Sequence, residues 1–273
     1  MTTPAATLRP PAQVDPDGYA RLARGLRTLL GIDLDQYRPA QMWRRVNGFA
    51  TSHGVADADA LLIACRHRPE LLAELRNMLT INVSMFFRDP ESWNRLGDRL
   101  AGDRLPEDRA FRIWSAGCSV GLEPYSLAML ASEVAPRKRV WILATDVDGR
   151  ALDVGRAGRY DLARVVGVSP ARRHRFLVED GPDWVFRQEL RAMIRFREED
   201  LLRAPTVARV FDLVACRNVV IYFTQAAKAA VHQRLADALR PGGLLFVGAT
   251  EAILQPQRFG LHSDGPGFYV RAD

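Results

Sequence analysis

"FRIWSAGCSVGLEPYSLAMLASEVA" (Phe111–Ala135) puts three kinds of local order side by side. The apolar and aromatic run "FRIWSA" reads as a strand, and two glycines follow it. "EPYSLAMLASEVA" then spaces its apolar residues three and four apart, as a helix does. The alternation recurs downstream: "VWILATD", "IRFREED", "FDLVACRN" and "LLFVGAT" read as strands, with helices at "DGRALDVGRAG" and "QAAKAAVHQRLADAL". Apolar runs alternating with helices predict an α/β domain, a doubly wound and mostly parallel sheet covered on both faces.

Upstream of Leu100 the periodicity is helical throughout, in "YARLARGLRTLLGIDL", "AQMWRRVNGFATSHG" and "DADALLIACRHRPELLAELRNML". It predicts an N-terminal all-α domain. The expected divisions are a Pro-rich, disordered leader over 1–14, the helical domain with a linker helix over 15–100, and the sheet domain over 101–273. Between the second helix and third strand of the sheet lie "SPARRHRFL" and "EDGPDWVFRQ". An excursion of that length predicts a small β-containing insertion over about 160–193.

Composition narrows the classes of function. The chain has 273 residues, 48% of them hydrophobic, enough for a substantial core. It has no uninterrupted apolar run of about eighteen residues and no basic start followed by an apolar core. No membrane insertion is expected. The three cysteines (Cys65, Cys118, Cys216) form no CxxC pair and no metal-ligand spacing with the five histidines. A reduced, cytoplasmic, monomeric protein without a metal is expected. Cys118 and Cys216 are assigned to packing, and His232 to a partly exposed helix face. The net charge of +6 comes from arginines interspersed with acids rather than clustered, so a nucleic-acid partner is not expected.

In an open parallel sheet, ligands bind beyond the carboxyl ends of the strands, where the strand order reverses. "GCSVGLEP" (Gly117–Pro124) is the loop at that point. Gly117 and Gly121 permit tight turning and close approach of a ligand, and Pro124 suits a first helical turn. Glu123 is the informative residue. A carboxylate at a helix N-terminus repels phosphate, whereas a ligand with a positive end is welcome there. No GxGxxG and no P-loop lysine is present. Asp146, closing "ATD", is placed to accept both ribose hydroxyls of a nucleoside, while Asp148 is better placed to cap the next helix. Together these features point to S-adenosylmethionine rather than NAD.

"TINVSMFFRDP" (Thr80–Pro90), "WSAGCSVGLEPYSLAM" (Trp114–Met129), "ATDVD" (Ala144–Asp148), "FDLVACRNVVIYF" (Phe211–Phe223) and "LRPGGLLFVGATE" (Leu239–Glu251) occur in this order. They resemble the CheR family of chemotaxis-receptor methyltransferases over nearly everything after the leader. The resemblance implies a class I S-adenosylmethionine-dependent methyltransferase domain with a small inserted β-subdomain, joined to an N-terminal all-α domain. It implies methyl transfer to the γ-carboxylate of receptor glutamates, giving glutamyl methyl esters and S-adenosylhomocysteine. It also implies that Asn82, Ser84 and Arg88 reach the cofactor from the joining segment, Glu123 meets its methionine end and Asp146 its ribose. Asp200, Leu201, Arg217 and Asn218 would border the adenosine, and Arg88 and Tyr222 would arrange the reactive end.

The sequence departs from the family pattern in places. Leu122 replaces the first of two acids before Pro124, Ser84 stands for Thr, and Asp200 stands for Asn. The implied partner is the cytoplasmic domain of a methyl-accepting receptor, met through Arg44 and Arg45 in "MWRRVNG". Asn47 and Gly48 leave that face less basic than is usual. The short "EDGPDW" turn speaks against tethering of a receptor C-terminal peptide. Two alternatives remain open on the residues: a methyltransferase of the same fold for another protein or a small acid, and a non-catalytic cofactor-binding signalling subunit.

Overall fold

A computed structural model describes residues 14–80, 84–101, 105–106, 108–204 and 209–273. Most of the expected leader (1–13) and Asn82 lie outside the described residues. The chain divides into two compact units, one of residues 1–81 with 222–227 and one of residues 82–221 with 228–273.

The first unit holds α1 (Pro16–Leu30), α2 (Pro39–Ser52), α3 (Ala58–His67) and α4 (Pro69–Thr80). Asp15 caps α1 by accepting from the Asp17 N–H, with Pro16 in the first turn, and Gly31 ends it in the left-handed conformation. The apolar stripes meet in one core built on Leu22, Leu26, Leu34, Met42, Val46, Leu61 and Leu75. The segment Tyr222–Ala227 joins this unit through main-chain bonds: the Arg38 N–H donates to the Tyr222 carbonyl (3.0 Å) and the Thr224 N–H to the Gln36 carbonyl (2.9 Å).

The second unit begins with α5 (Pro90–Leu100), then β1 (Phe111–Ala116), α6 (Leu122–Val134), β2 (Val140–Asp146) and α7 (Gly149–Ala157). Next come β3 (Arg159–Asp161), α8 (Leu162–Val165), α9 (Pro170–Phe176), β4 (Leu177–Asp180), β5 (Asp183–Phe186) and α10 (Gln188–Met193). It ends with β6 (Ile194–Glu198), β7 (Phe211–Cys216), α11 (Gln225–Ala238), β8 (Leu239–Val247), β9 (Leu261–Ser263) and β10 (Phe268–Arg271). A seven-stranded sheet has the order β6-β2-β1-β7-β8-β10-β9, and the strands from β6 to β8 run parallel. The expected mostly parallel, doubly wound sheet is present. The chain leaves β1 toward β2 and β6 on one side and later returns to β7 on the other, so the switch point lies between the carboxyl ends of β1 and β7.

Several features differ from the sequence reading. The sheet closes with an antiparallel pair, β10 against β8 and β9, whose short runs carry no periodic signal. The small β-containing insertion expected after α7, by contrast, is present, as a separate antiparallel sheet, β3-β5-β4, turning at Gly181. Helix α5 packs by Trp93, Leu96 and Leu100 into the core of the sheet unit rather than with the helical one. His232 is buried, not partly exposed. Its ring lies edge-on 5.7 Å from Phe259, and burial lowers its pKa to about 4. Among the described residues, no helix is long and apolar enough to cross a membrane.

Aromatic packing ties the small sheet to the large one. Phe186 of β5 stacks on Tyr125 of α6 with ring centroids 4.1 Å apart and planes within 4°. Tyr160 of β3 contacts both rings edge-on. Phe186→Ala should therefore destabilise the protein by about 3–5 kcal/mol. A guanidinium melt should show a lowered midpoint with an unchanged slope. A midpoint equal to wild type would mean that this stack contributes nothing to stability.

Candidate active site

Burial at the carboxyl ends of β1 and β2 forces the loops into specific conformations. The Gly117 and Cys118 N–H groups both donate to the Thr145 carbonyl, at 2.8 and 2.9 Å. This bends the chain away from β1 immediately after its last residue. Gly117 has φ +78°, and a Cβ there would meet Cγ2 of Val219 at 2.5 Å. Gly121 has φ +92° and packs so that a Cβ would meet Cα of Gly155 at 2.9 Å. Only glycine fits at either position without moving a neighbour.

Glu123 lies in the first turn of α6, and its Oε1 accepts from the Ser115 hydroxyl at 2.7 Å. Burial pushes its carboxyl up to about 7; the Arg217 charge and the Ser115 bond pull it down, and Glu251 pushes it further up. Asp146 accepts from the Ser119 N–H through Oδ2 (2.7 Å) and from the Asp148 N–H through Oδ1 (3.0 Å). Burial raises its pKa as well, against those backbone bonds. Asp148 caps α7 by accepting from the Arg150 and Ala151 N–H groups, so Asp146 is not consumed as a helix cap.

On the other side of the switch point, Arg217 is buried and already committed. Its Nη2 donates to the Arg88 carbonyl and to Oδ2 of Asp89, both at 2.9 Å. Its guanidinium lies 4.5 Å from the Phe246 ring centroid and 5.5 Å from that of Trp93. Asp89 thus pairs with Arg217. Asn218 adopts φ +61°, a conformation non-glycine residues seldom take. Its N–H is accepted by Glu251. Asp200 is half-buried; its Oδ1 accepts from the Leu202 N–H (2.8 Å), and the Leu201 carbonyl accepts from Arg234 (2.7 Å). The Glu199 N–H donates to the Asp146 carbonyl (2.8 Å), drawing this segment to the end of β2.

The structure thus groups Ser84, Arg88, Gly117, Glu123, Asp146, Asp200, Leu201, Arg217 and Asn218 within the sheet unit. Tyr222 is grouped with the helical unit, where its ring lies 6.0 Å from the Arg45 guanidinium. In that same unit Arg45 is half-buried and donates to the Met78 carbonyl, while Arg44 is exposed. Two residues went unread in the sequence. Ser115, inside an apolar run, carries no polar signal by itself. Glu251 was legible only as an acid shortly after a strand, the same placement that drew attention to Asp146.

The donor set suits a ligand carrying positive charge and a nucleoside. Glu123 and Asp146 are acidic, the glycines admit close approach, and Ser84 Oγ and Arg217 Nε are buried without a hydrogen-bond partner. Cys118 and Cys216 are buried, and burial pushes both thiols well above their usual range, which makes them packing residues rather than nucleophiles.

The family model described as "CheR methyltransferase, SAM binding domain" matches residues 82–265, and "CheR methyltransferase, all-alpha domain" matches residues 17–80. A chemotaxis protein methyltransferase of Listeria monocytogenes is 36% identical over 93% of this chain and 97% of its own length. Chemotaxis protein methyltransferase 1 of Pseudomonas aeruginosa is 33% identical over 90% of this chain and 94% of its own.

The raised Glu123 carboxyl has a consequence for stability. The folded protein holds this proton more tightly than the unfolded chain, whose carboxyl titrates near 4.5. The stabilisation is complete below that value and is lost as pH rises to about 7. Relative to Glu123→Gln, the wild-type unfolding free energy should fall across that window by on the order of 3 kcal/mol. Parallel pH slopes in denaturant melts of the two proteins would contradict it.

Proposed function

This chain belongs to the CheR methyltransferase family, and from that premise we propose that it esterifies glutamate γ-carboxylates on the cytoplasmic domain of a chemotaxis receptor. It is a methyltransferase that uses S-adenosylmethionine. The observation that carries the residue-level reading is the pair of half-buried carboxylates, Glu123 and Asp146, beyond the carboxyl ends of the neighbouring parallel strands β1 and β2, each with its pKa raised. Glu123 would pair with the ligand's amino group and Asp146 with its ribose hydroxyls. Ser84, Asp200, Leu201 and Asn218 would line the rest, and Asn82 would enter from the joining segment. Arg217 would act mainly by holding Arg88 and Asp89 in place.

S-adenosylmethionine supplies an activated methyl group on a sulfonium. The protein needs no strong base, because a glutamate carboxylate with an ordinary pKa of about 4.3 is already ionised near neutral pH. What the residues must do is align that carboxylate and strip its water. Arg88 would hold the carboxylate oxygens by charge, and the family resemblance assigns Tyr222, by its hydroxyl, to the same task. Arg44, exposed on α2, would meet the acidic surface of the receptor.

Labelled methyl groups should enter a receptor cytoplasmic fragment and leave as methanol in alkali, the mark of a carboxyl ester. Label that survives alkali would overturn the glutamate assignment. Tyr222→Phe should lower kcat by about 10–100-fold, the worth of one hydrogen bond to a charged group, with the Kd for S-adenosylhomocysteine unchanged. An undiminished kcat would return Tyr222 to a packing role.

Arg44→Glu should raise KM for the receptor fragment a few-fold at low salt and little at high salt, since exposed charges contribute about 1 kcal/mol or less. An unchanged KM at both salts would remove α2 from the docking surface.

A further inference from the structure

Glu251 is nearly sequestered from solvent, at 5% exposure, just beyond the end of β8, and nothing in the chemistry above uses it. Its Oε2 accepts from the Gly248 N–H (3.0 Å) and from the Asn218 N–H, and its Oε1 accepts from the Val220 N–H (3.1 Å). Gly248 is local, but Asn218 and Val220 are 33 and 31 residues away in sequence. A residue that merely capped its own turn would need only the first of these bonds. One carboxylate instead clamps the loop after β7 to the loop after β8.

The arrangement is specific in shape as well as charge. Three N–H donors converge on one side chain, so both of its oxygens must be acceptors; an amide would turn its own NH2 toward one of them. A Cβ on Gly248 would collide with Oε2 of Glu251. Asn218 holds the left-handed φ of +61°, a strained backbone that its neighbours must over-determine. Burial raises the Glu251 carboxyl, and the backbone bonds from Asn218, Gly248 and the 219–220 segment oppose that rise. Glu251 also bears on the charges beneath the site, favouring the Arg217 cation and disfavouring the ionised Glu123.

We propose that Glu251 is a positioning residue of the cofactor site: its carboxylate holds Asn218 in the strained turn that presents this loop to the adenosine. The inference rests on the reading above that Asn218 borders the cofactor. Glu251 touches neither cofactor nor substrate. It acts through the backbone it holds, and Val220, its third partner, opens the 3-10 turn Val220–Tyr222.

Calorimetry with S-adenosylhomocysteine tests this. In wild type, Glu251→Gln, Asn218→Ala and the double variant, each single change should raise Kd about tenfold, the worth of one hydrogen bond. The double variant should bind about as poorly as the weaker single, because the two residues act as a unit. Leu100→Ala, in the core at the far end of α5, should lower the melting temperature and leave Kd unchanged, which separates positioning from loss of stability. If Glu251→Gln does not fold, Gly248→Ala displaces the carboxylate without removing its charge and should raise Kd equally. A folded Glu251→Gln or Gly248→Ala with wild-type Kd, beside a weakened Asn218→Ala, would overturn the positioning role and leave the site intact. Wild-type binding by Asn218→Ala would instead overturn the placement of Asn218, and the role of Glu251 with it.

Discussion

Burying carboxylates at the carboxyl ends of parallel strands is the constraint on which the rest of the sheet unit depends. An ionised carboxylate taken out of water costs several kcal/mol unless hydrogen bonds replace the water. Here the replacements are mostly main-chain N–H groups: Ser119 and Asp148 for Asp146, and Gly248, Asn218 and Val220 for Glu251. Glu123 has the Ser115 hydroxyl and the nearby Arg217 charge. Each bond immobilises a loop, so the acids that give the site its charge also set its shape. Close packing leaves no room for side chains at Gly117, against Val219, at Gly121, against Gly155 and Tyr160, or at Gly248, against Glu251 itself.

Raised carboxyl pKa values fit this arrangement. Burial outweighs the hydrogen bonds for both Glu123 and Asp146, and each proton is held more tightly than in water. A ligand that brings positive charge relieves that penalty, whereas a phosphate adds to it. A carboxyl held in this way at Glu123 favours a cationic ligand over an anionic one.

The sequence made the parallel sheet legible because strands buried on both faces must be nearly continuous apolar runs, and β1, β2, β7 and β8 are such runs. Asp146 could be told from Asp148 because a helix cap must precede its helix directly. The antiparallel pair β9 and β10 escaped notice because its strands are three and four residues long, too short for a period to show. His232 was misjudged because it lies on a helix whose polar residues suggest solvent, yet Phe259, distant in sequence, covers it. Glu251 was visible as a residue but not as a clamp, since its role lies in bonds to backbone atoms that no side-chain pattern records.

The small antiparallel sheet belongs to the same mechanical unit as the loop after β1. Tyr160 of β3 donates its hydroxyl to the Val120 carbonyl at 2.7 Å, and Tyr125 of α6 donates to the Gly155 carbonyl at 3.1 Å. A Cβ at Gly121 would lie 3.0 Å from the Tyr160 oxygen, so the loop is packed against that ring as well as bonded to it. Both phenols are buried, and burial drives their pKa values upward, to about 12 for Tyr125 and well above the usual range for Tyr160. They remain neutral donors across any working pH, which suits a fixed strut rather than a titrating switch. The loop after β1 is thus held from below by Thr145 and Asp146 and from the side by Tyr160. A displacement of β3 has a direct path to the residues around Glu123, through one hydrogen bond and one packed ring.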